Sequence, residues 1–347
     1  MSRISALSSN ALLTKSRAMN SYILTDGDYA QLVNCRSYND IITYLKSNTV
    51  YEKVVGELFS GRIYRERLEA EIRKFNNSRI AELAAFENAI GQSLHEIVFL
   101  KNDVKLIINS AYHLDTSEIS DYSRLTPETY FKHSTLDPDK LETATSLEEF
   151  YEALGNSPYK KALDIFMVGK APFSISSLEN TLYRYMYGEI RTLVKKNYIG
   201  DAQKQIFDIL QSEADYRTLE SIYRMKRFFP DEALTLNSIS YSGFSAFSVK
   251  EIEQMLSAKS ADELFTMFKK GEYAKYFDEK AKSSIELCTR LAQLKANRKK
   301  LLFSTEPEVT MLAFIGILEN ETRNLIHIIE GVRYHLSGQQ ILDFIVI

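Results

Sequence analysis

The sequence predicts an all-α protein built from three similar helical units arranged about a pseudo-threefold axis, and three observations carry that expectation. Apolar residues recur in steps of three and four. After Tyr64 they fall at Leu68, Ile72, Phe75, Leu83, Phe86 and Ile90, with one gap around Arg79. Leu178, Leu182, Met186, Ile190 and Leu193 form a second such stripe, and Leu287, Leu291, Leu294 and Leu301 a third. That spacing lines one face of a helix, and no stretch shows the sustained alternation of a strand. With 13 Gly and 6 Pro in 347 residues, the chain is also poor in the turn formers that an all-β protein needs. Finally, two strings of residues repeat three times at a spacing of about 110, far longer than the 20–50 residues of a solenoid, so each copy is a folding unit of its own.

The first string is Ser-x-x-acid-apolar followed by an apolar residue and then a Tyr. It reads Ser37, Asp40, Ile41, Leu45, Tyr51; then Ser146, Glu149, Phe150, Leu154, Tyr159; then Ser260, Glu263, Leu264, Phe268, Tyr273. The second string closes each copy. Asp103, Thr218 and Asn324 align, with Val104, Leu219 and Leu325 next to them and Ile107, Ile222 and Ile328 one turn further on. An aromatic follows about ten residues later, at Tyr112, Phe228 and Tyr334. Breakers mark the seams: Thr126-Pro127 and Asp137-Pro138, then Phe229-Pro230-Asp231 with Ser240 and Gly243. The units so delimited are 1–125, 126–230 and 231–347, the segment 230–248 being read as an irregular connection. Asp139 or Thr145, Ser248 and Thr305 are the expected helix N-caps, Thr305 standing before Glu306-Pro307-Glu308.

Composition narrows the function classes. A formal charge of −3 offers no broad basic field for nucleic acid. Cys35 and Cys288 are the only cysteines, lie in different copies and fit a reducing compartment as ordinary thiols. The longest apolar stretch, Val309 to Leu318, is closed by Glu308 and Glu319 and is half of what a membrane span needs, roughly 20 residues. Membrane association is therefore expected to come through a partner.

No catalytic, cofactor or metal signature holds. Gly56 to Gly61 has the spacing of a phosphate-binding loop, but Arg62-Ile63 stands where Lys-Ser/Thr is required. The five histidines, His95, His113, His133, His327 and His335, do not form a ligand set with carboxylates. The expectation is a non-enzymatic chain without catalytic, cofactor-binding or metal residues. The candidates for holding a partner are Arg217, Arg224, Lys226 and Arg227 on one helix and Glu321 and Arg323 on another. Ion pairs that fix helix packing are the other reading of the same residues, because most ionic groups on helices are solvated or locally paired. The run Arg298-Lys299-Lys300 reads as the wet face of a helix, with acidic head groups or a partner as its alternative contacts.

Several strings together resemble one family. They are Asn10-Ala11 leading to Arg17-Ala18-Met19, Tyr44-Leu45 with Tyr51, the stretch Leu219 to Lys226, and Glu321 to Ile326 with Gly331. In that order and register they are similar to the C subunit of bacterial and archaeal V-type (A-type) ATPases, the equivalent of the d subunit in the eukaryotic enzyme, over nearly the whole chain. Asp103 and Thr218 depart from the pattern, which has Asn there. The resemblance implies a funnel of three helical units seated on the cytoplasmic face of the membrane, one copy per complex. It would link the proteolipid rotor ring to the central shaft of subunits D and F, coupling ATP hydrolysis or synthesis to ion transport with no reaction of its own. A helical-repeat adaptor unrelated to a rotary motor is the alternative, and an enzyme with a site between units is a third reading that no residue pattern supports.

Overall fold

A computed structural model describes residues 3–55, 65–91, 93–114, 134–170, 172–231, 234–239, 243–270 and 284–347, and among them every regular element is a helix. The all-α expectation holds. Gly56 to Gly61, Thr126-Pro127, His133, Ser240 and Tyr273 lie outside the described residues. The chain divides into two compact units, one comprising Met1–Ile90 with Asp278–Ile347 and the other Gly91–Phe277. The first begins with α1 (Arg3–Asn20), α2 (Asp26–Leu32), α3 (Tyr38–Asn48), α4 (Glu52–Val55) and α5 (Arg65–Ala89). The second contains α6 (His95–Ala111), α7 (Pro138–Thr143), α8 (Leu147–Ala153), α9 (Pro158–Met167), α10 (Ile175–Asn197), α11 (Gly200–Phe228), α12 (Val249–Leu256) and α13 (Ala261–Lys270). The chain then returns to the first with α14 (Ile285–Phe303), α15 (Pro307–Arg333) and α16 (Gly338–Leu342).

The thrice-repeated Ser-x-x-acid string is a helix start in each copy. Ser37, Ser146 and Ser260 accept from the amides of Asp40, Glu149 and Glu263 at 3.2, 3.2 and 3.1 Å. The acids reach back to the chain before the helix: Asp40 accepts from the Ser37 and Arg36 amides, Glu149 from Thr145 and Glu263 from Lys259. The first turn of a helix leaves amides unpaired, and this reciprocal arrangement satisfies them. Backbone amides aimed at Asp40 and Glu149 hold both carboxyls below their usual range, the largest causes being Arg36 and Thr145 respectively. Ser248 caps α12 as expected. Asp137, not Asp139, caps α7, because Pro138 follows it at the first helical position. Ser146, not Thr145, caps α8, and Glu306 rather than Thr305 occupies the N-cap position of α15.

In the first unit α15 is the element others pack around: 18 of its 27 residues are buried. Its stretch Val309 to Leu318, too short to span a membrane, lies largely in the interior. Near its other end Leu325, Ile328, Ile329 and Val332 join Tyr29, Leu32, Ile41, Ile42 and Leu45 of α2 and α3 and Leu68 and Ile72 of α5 in one core. The closing helix of the third copy thus packs against the opening helices of the first. Two glycines permit the close approach of neighbours: a Cβ at Gly316 would collide with the Asn297 side chain of α14, and one at Gly331 would lie 2.5 Å from Cγ1 of Ile341 in α16. Gly331→Val should therefore lower stability by about 1–3 kcal/mol through overpacking, read as a fall in the denaturant midpoint.

In the second unit α10 packs along α6, α9 and α11, with Leu178, Leu182, Tyr187 and Ile190 fully buried. Tyr187 stacks on Phe244 with ring centroids 6.0 Å apart, and Phe207 meets the same ring at 5.6 Å. These aromatics anchor the segment 243–248 that leads into α12.

Candidate functional site

Each closing helix carries a buried carboxylate that holds the chain entering another helix. On α6 it is Asp103, on α11 Asp215 and on α15 Glu321, at spacings of 112 and 106 residues. Asp103 accepts from the Tyr159 hydroxyl at 3.0 Å and from the Ser134 side chain, just ahead of α7. Asp215 accepts from the Ser245 hydroxyl and, at 3.1 Å, from the Ala246 amide, just ahead of α12. Glu321 accepts from the Leu24 amide, just ahead of α2, and from the Tyr51 hydroxyl at 2.8 Å. Tyr51 and Tyr159 are the tyrosines of the first repeated string. Both reach a carboxylate on a closing helix, so the string encodes a buried tyrosine–acid contact as well as a cap.

The Glu321 site is the most elaborate. Asn76 of α5 exchanges hydrogen bonds with Tyr51 and donates to Thr322 at 2.8 Å. Arg79, 7 % exposed, approaches Glu321 at 3.8 Å, donates to the Met19 carbonyl at 3.0 Å and lies over the rings of Phe75 and Phe314. Burial raises the Glu321 carboxyl to about 7, outweighing the Leu24 and Tyr51 hydrogen bonds and the Arg79 charge that favour ionisation. Burial likewise raises Asp103 to about 6 against the hydrogen bonds from Ser134 and Tyr159. One turn beyond Glu321, Asn324 accepts from the Val346 amide at 3.0 Å and donates to its carbonyl at 2.7 Å. The buried Arg290 donates to Asn324 at 2.8 Å and to Asn320 at 3.2 Å.

The six charged residues singled out in the sequence occupy two environments. Glu321 and Arg217 point inward: Glu321 is 1 % exposed, and the Arg217 guanidinium lies 3.8 Å from the centre of the Tyr183 ring. Arg224, Arg227 and Arg323 are exposed, and Lys226 is half-buried. Arg227 donates to the Tyr223 hydroxyl at 3.0 Å and flanks the ring of Phe228. Phe228 and Phe229 are 67 % and 53 % exposed. The same pairing recurs at the end of α15, where Arg333 stands over Tyr334, itself 64 % exposed, and Tyr112 at the end of α6 is 41 % exposed.

Buried acids of raised pKa mark catalytic sites in many enzymes. Here their partners are backbone amides, hydroxyls and an arginine of the same fold, which is the chemistry of a latch. Among the described residues no group of three or more His, Cys, Asp or Glu side chains is placed to hold a metal ion, and no helix is long and apolar enough to cross a membrane. Burial, helped by Asp40, raises the Cys35 thiol to about 11, which keeps it protonated and unreactive near neutrality. Missed in the sequence were Asp103 as a latch, Asn76, Arg79 and Arg290. The pairing of Tyr51 and Tyr159 with acids at repeat spacing was the signal that would have found the first.

Helices locked by internal latches carry exposed aromatic and basic side chains at their ends. The family described as ATP synthase (C/AC39) subunit matches residues 12–344. The chain belongs to that family and is an accessory component of a V/A-type ATP synthase complex, of the kind designated C, or d in the eukaryotic enzyme. No individual curated protein matches its sequence.

Proposed function

We propose that this chain is the non-catalytic rotor subunit that links the central shaft, subunits D and F, to the membrane proteolipid ring. It couples ATP hydrolysis or synthesis to ion transport, one copy per complex, as a peripheral piece on the cytoplasmic face. Its three helical units surround a pseudo-threefold axis as a funnel. Family membership supports the setting, and the latches support the arrangement: one recurs on each closing helix within a turn of the same position, and that of the third copy holds the chain of the first. The observation that carries the coupling role is the exposed aromatic at the end of every closing helix, Tyr112, Phe228 and Tyr334. A residue that recurs in each repeat and is buried serves the fold. One that recurs and is exposed serves a contact outside it, and large aromatics beside arginine are the side chains that anchor protein interfaces. Arg224, Lys226 and Arg227 flank the Phe228 end and Arg323 lies on α15, so these four are the partner contacts. Arg217 and Glu321, which face the interior, are not among them.

Membranes that keep the ring but lack this subunit and the soluble head provide the test. Adding the chain and then the head with its shaft should restore ATP-driven ion uptake. The triple variant Arg227→Glu, Phe228→Ser, Phe229→Ser should retain the native melting temperature and lower uptake about tenfold, in proportion to the loss of one interface anchor. Full uptake by that variant removes these residues from the interface. A chain that neither binds the ring nor restores uptake is a helical-repeat adaptor instead.

A further inference from the structure

The end of α14 carries an exposed surface of cations and bulky apolar side chains. Between Glu286 and Glu306 the chain has five basic residues, Arg290, Lys295, Arg298, Lys299 and Lys300, and no acid, although its formal charge overall is −3. Arg290 is buried on Asn324, whereas Lys295, Arg298 and Lys299 are exposed. Lys295, Arg298, Lys299, Leu302 and Phe303 follow one another at helical steps of three and four, so they share one face over the last turns of α14. Leu302 and Phe303 are 63 % and 76 % exposed, while Leu294, Asn297 and Leu301 are buried on the opposite side. The strip is therefore graded, with three cations followed by two bulky apolar side chains at the tip.

That tip is held in place from α1. Arg17 donates through Nε to the Leu301 carbonyl at 3.0 Å and through Nη2 to the Leu302 and Ser304 carbonyls at 3.0 and 2.9 Å. It adds a further exposed cation beside the strip and ties the last turn of α14, so Leu302 and Phe303 are presented on a fixed helix end.

We propose that this strip docks on the anionic head-group surface of a lipid bilayer, with Leu302 and Phe303 entering the boundary between head groups and acyl chains and Lys295, Arg298 and Lys299 meeting lipid phosphates. Cations placed a turn or two behind an apolar tip can stay at phosphate depth while the tip is buried. Five side chains make too small a patch for a stable protein interface, which takes about 20–30 residues a side. A bilayer needs no complementary shape, and its negative surface potential matches the charge of the strip. The contact requires neither ring nor shaft, so it stands apart from the rotor reading, and it adds a direct membrane contact to association through a partner.

The test is flotation of the purified full chain with phosphatidylcholine vesicles, with and without phosphatidylglycerol. The chain should float with the anionic vesicles at about 0.1 M salt and separate from them at about 1 M, where the screening length falls to about 3 Å. Arg298→Glu with Lys299→Glu should weaken binding about tenfold or more, since two attractions become repulsions. Leu302→Ser with Phe303→Ser should weaken it about fivefold or more through loss of the apolar contact. Both variants change exposed residues and should melt with the native protein. Equal flotation with neutral vesicles, no flotation at all, or flotation of either variant at the native level overturns the proposal. So does capture of the native chain by an acidic protein surface while the anionic vesicles are ignored.

Discussion

Glu321→Ala should destabilise the protein by about 3–5 kcal/mol, the cost of removing one member of a buried charged network. The substitution leaves the Leu24 amide without its acceptor, Arg79 without its carboxylate and the Tyr51 hydroxyl with Asn76 alone, in a site closed to water. Glu321→Gln keeps an acceptor for Leu24 and turns an amide donor toward the Tyr51 oxygen, whose own hydrogen can go to Asn76, and should cost only about 1–2 kcal/mol. The pair separates loss of the latch from loss of its charge, and equal denaturant midpoints for Glu321→Ala and the native chain would refute the latch. The pH dependence follows from the same burial. Unfolded, Glu321 ionises near 4.5; folded, near 7, so between these values the folded chain holds the extra proton. Stability is then fully present below about 4.5 and falls as pH rises toward 7. Asp103, raised from 3.8 to about 6, acts in the same direction. The carboxyls held below their usual range by helix caps, Asp40 and Glu251 among them, act in the opposite direction but at lower pH. The melting temperature should therefore decline between about pH 5 and pH 7.5, and Glu321→Gln should flatten the upper part of that decline.

Asn324→Ala should cost about 2–3 kcal/mol and release the chain around Val346. Asn324 is fully buried, and its amide pairs with both backbone groups of Val346 while its oxygen also receives Arg290. Asn320 and the Phe344 carbonyl still receive Arg290 in the variant, and Asn320 still donates to the Val346 carbonyl. The Val346 amide is the group left without an acceptor. Faster hydrogen exchange of the Val346 amide together with a lowered denaturant midpoint is the expected result; native protection of that amide would show that Asn320 suffices.

Asn324 also explains a departure from the repeat. Asp103 and Thr218 occupy the equivalent places, and the three side chains serve different partners. Copy one has Leu100 where copy three has Glu321, so its latch carboxylate sits one turn later, at Asp103. Copy two keeps the acid at Asp215, three residues before Thr218. A face of a helix can place a carboxylate at either of two positions one turn apart and still meet the same neighbour. Register in the sequence therefore located the contact face without assigning the residue that makes the contact.

The replacement of Leu325 by a charged residue illustrates a second limit. Its recurrence in the closing string marks it as a packing position, and it lies at 0 % exposure in a core shared with Tyr29, Ile41 and Leu68. A charge there would unfold the first unit, so lost ion pumping in such a variant would say nothing about coupling. Exposed positions such as Arg227 and Phe228 are the ones that test it.

By itself, the sequence determined the helices, the order of the two strings and the family. Helical periodicity, N-caps and breakers act over three or four residues, and their signals survive in any linear reading. Whether Arg217 or Arg224 faces solvent, and whether Glu321 meets a partner or the Leu24 amide, was decided only in the tertiary structure. Those outcomes depend on segments far apart in the chain, such as Leu24 and Glu321, which lie 297 residues apart. Burial of a charge is a property of that assembled surrounding, whereas the helix that carries the charge is a property of its neighbours in sequence.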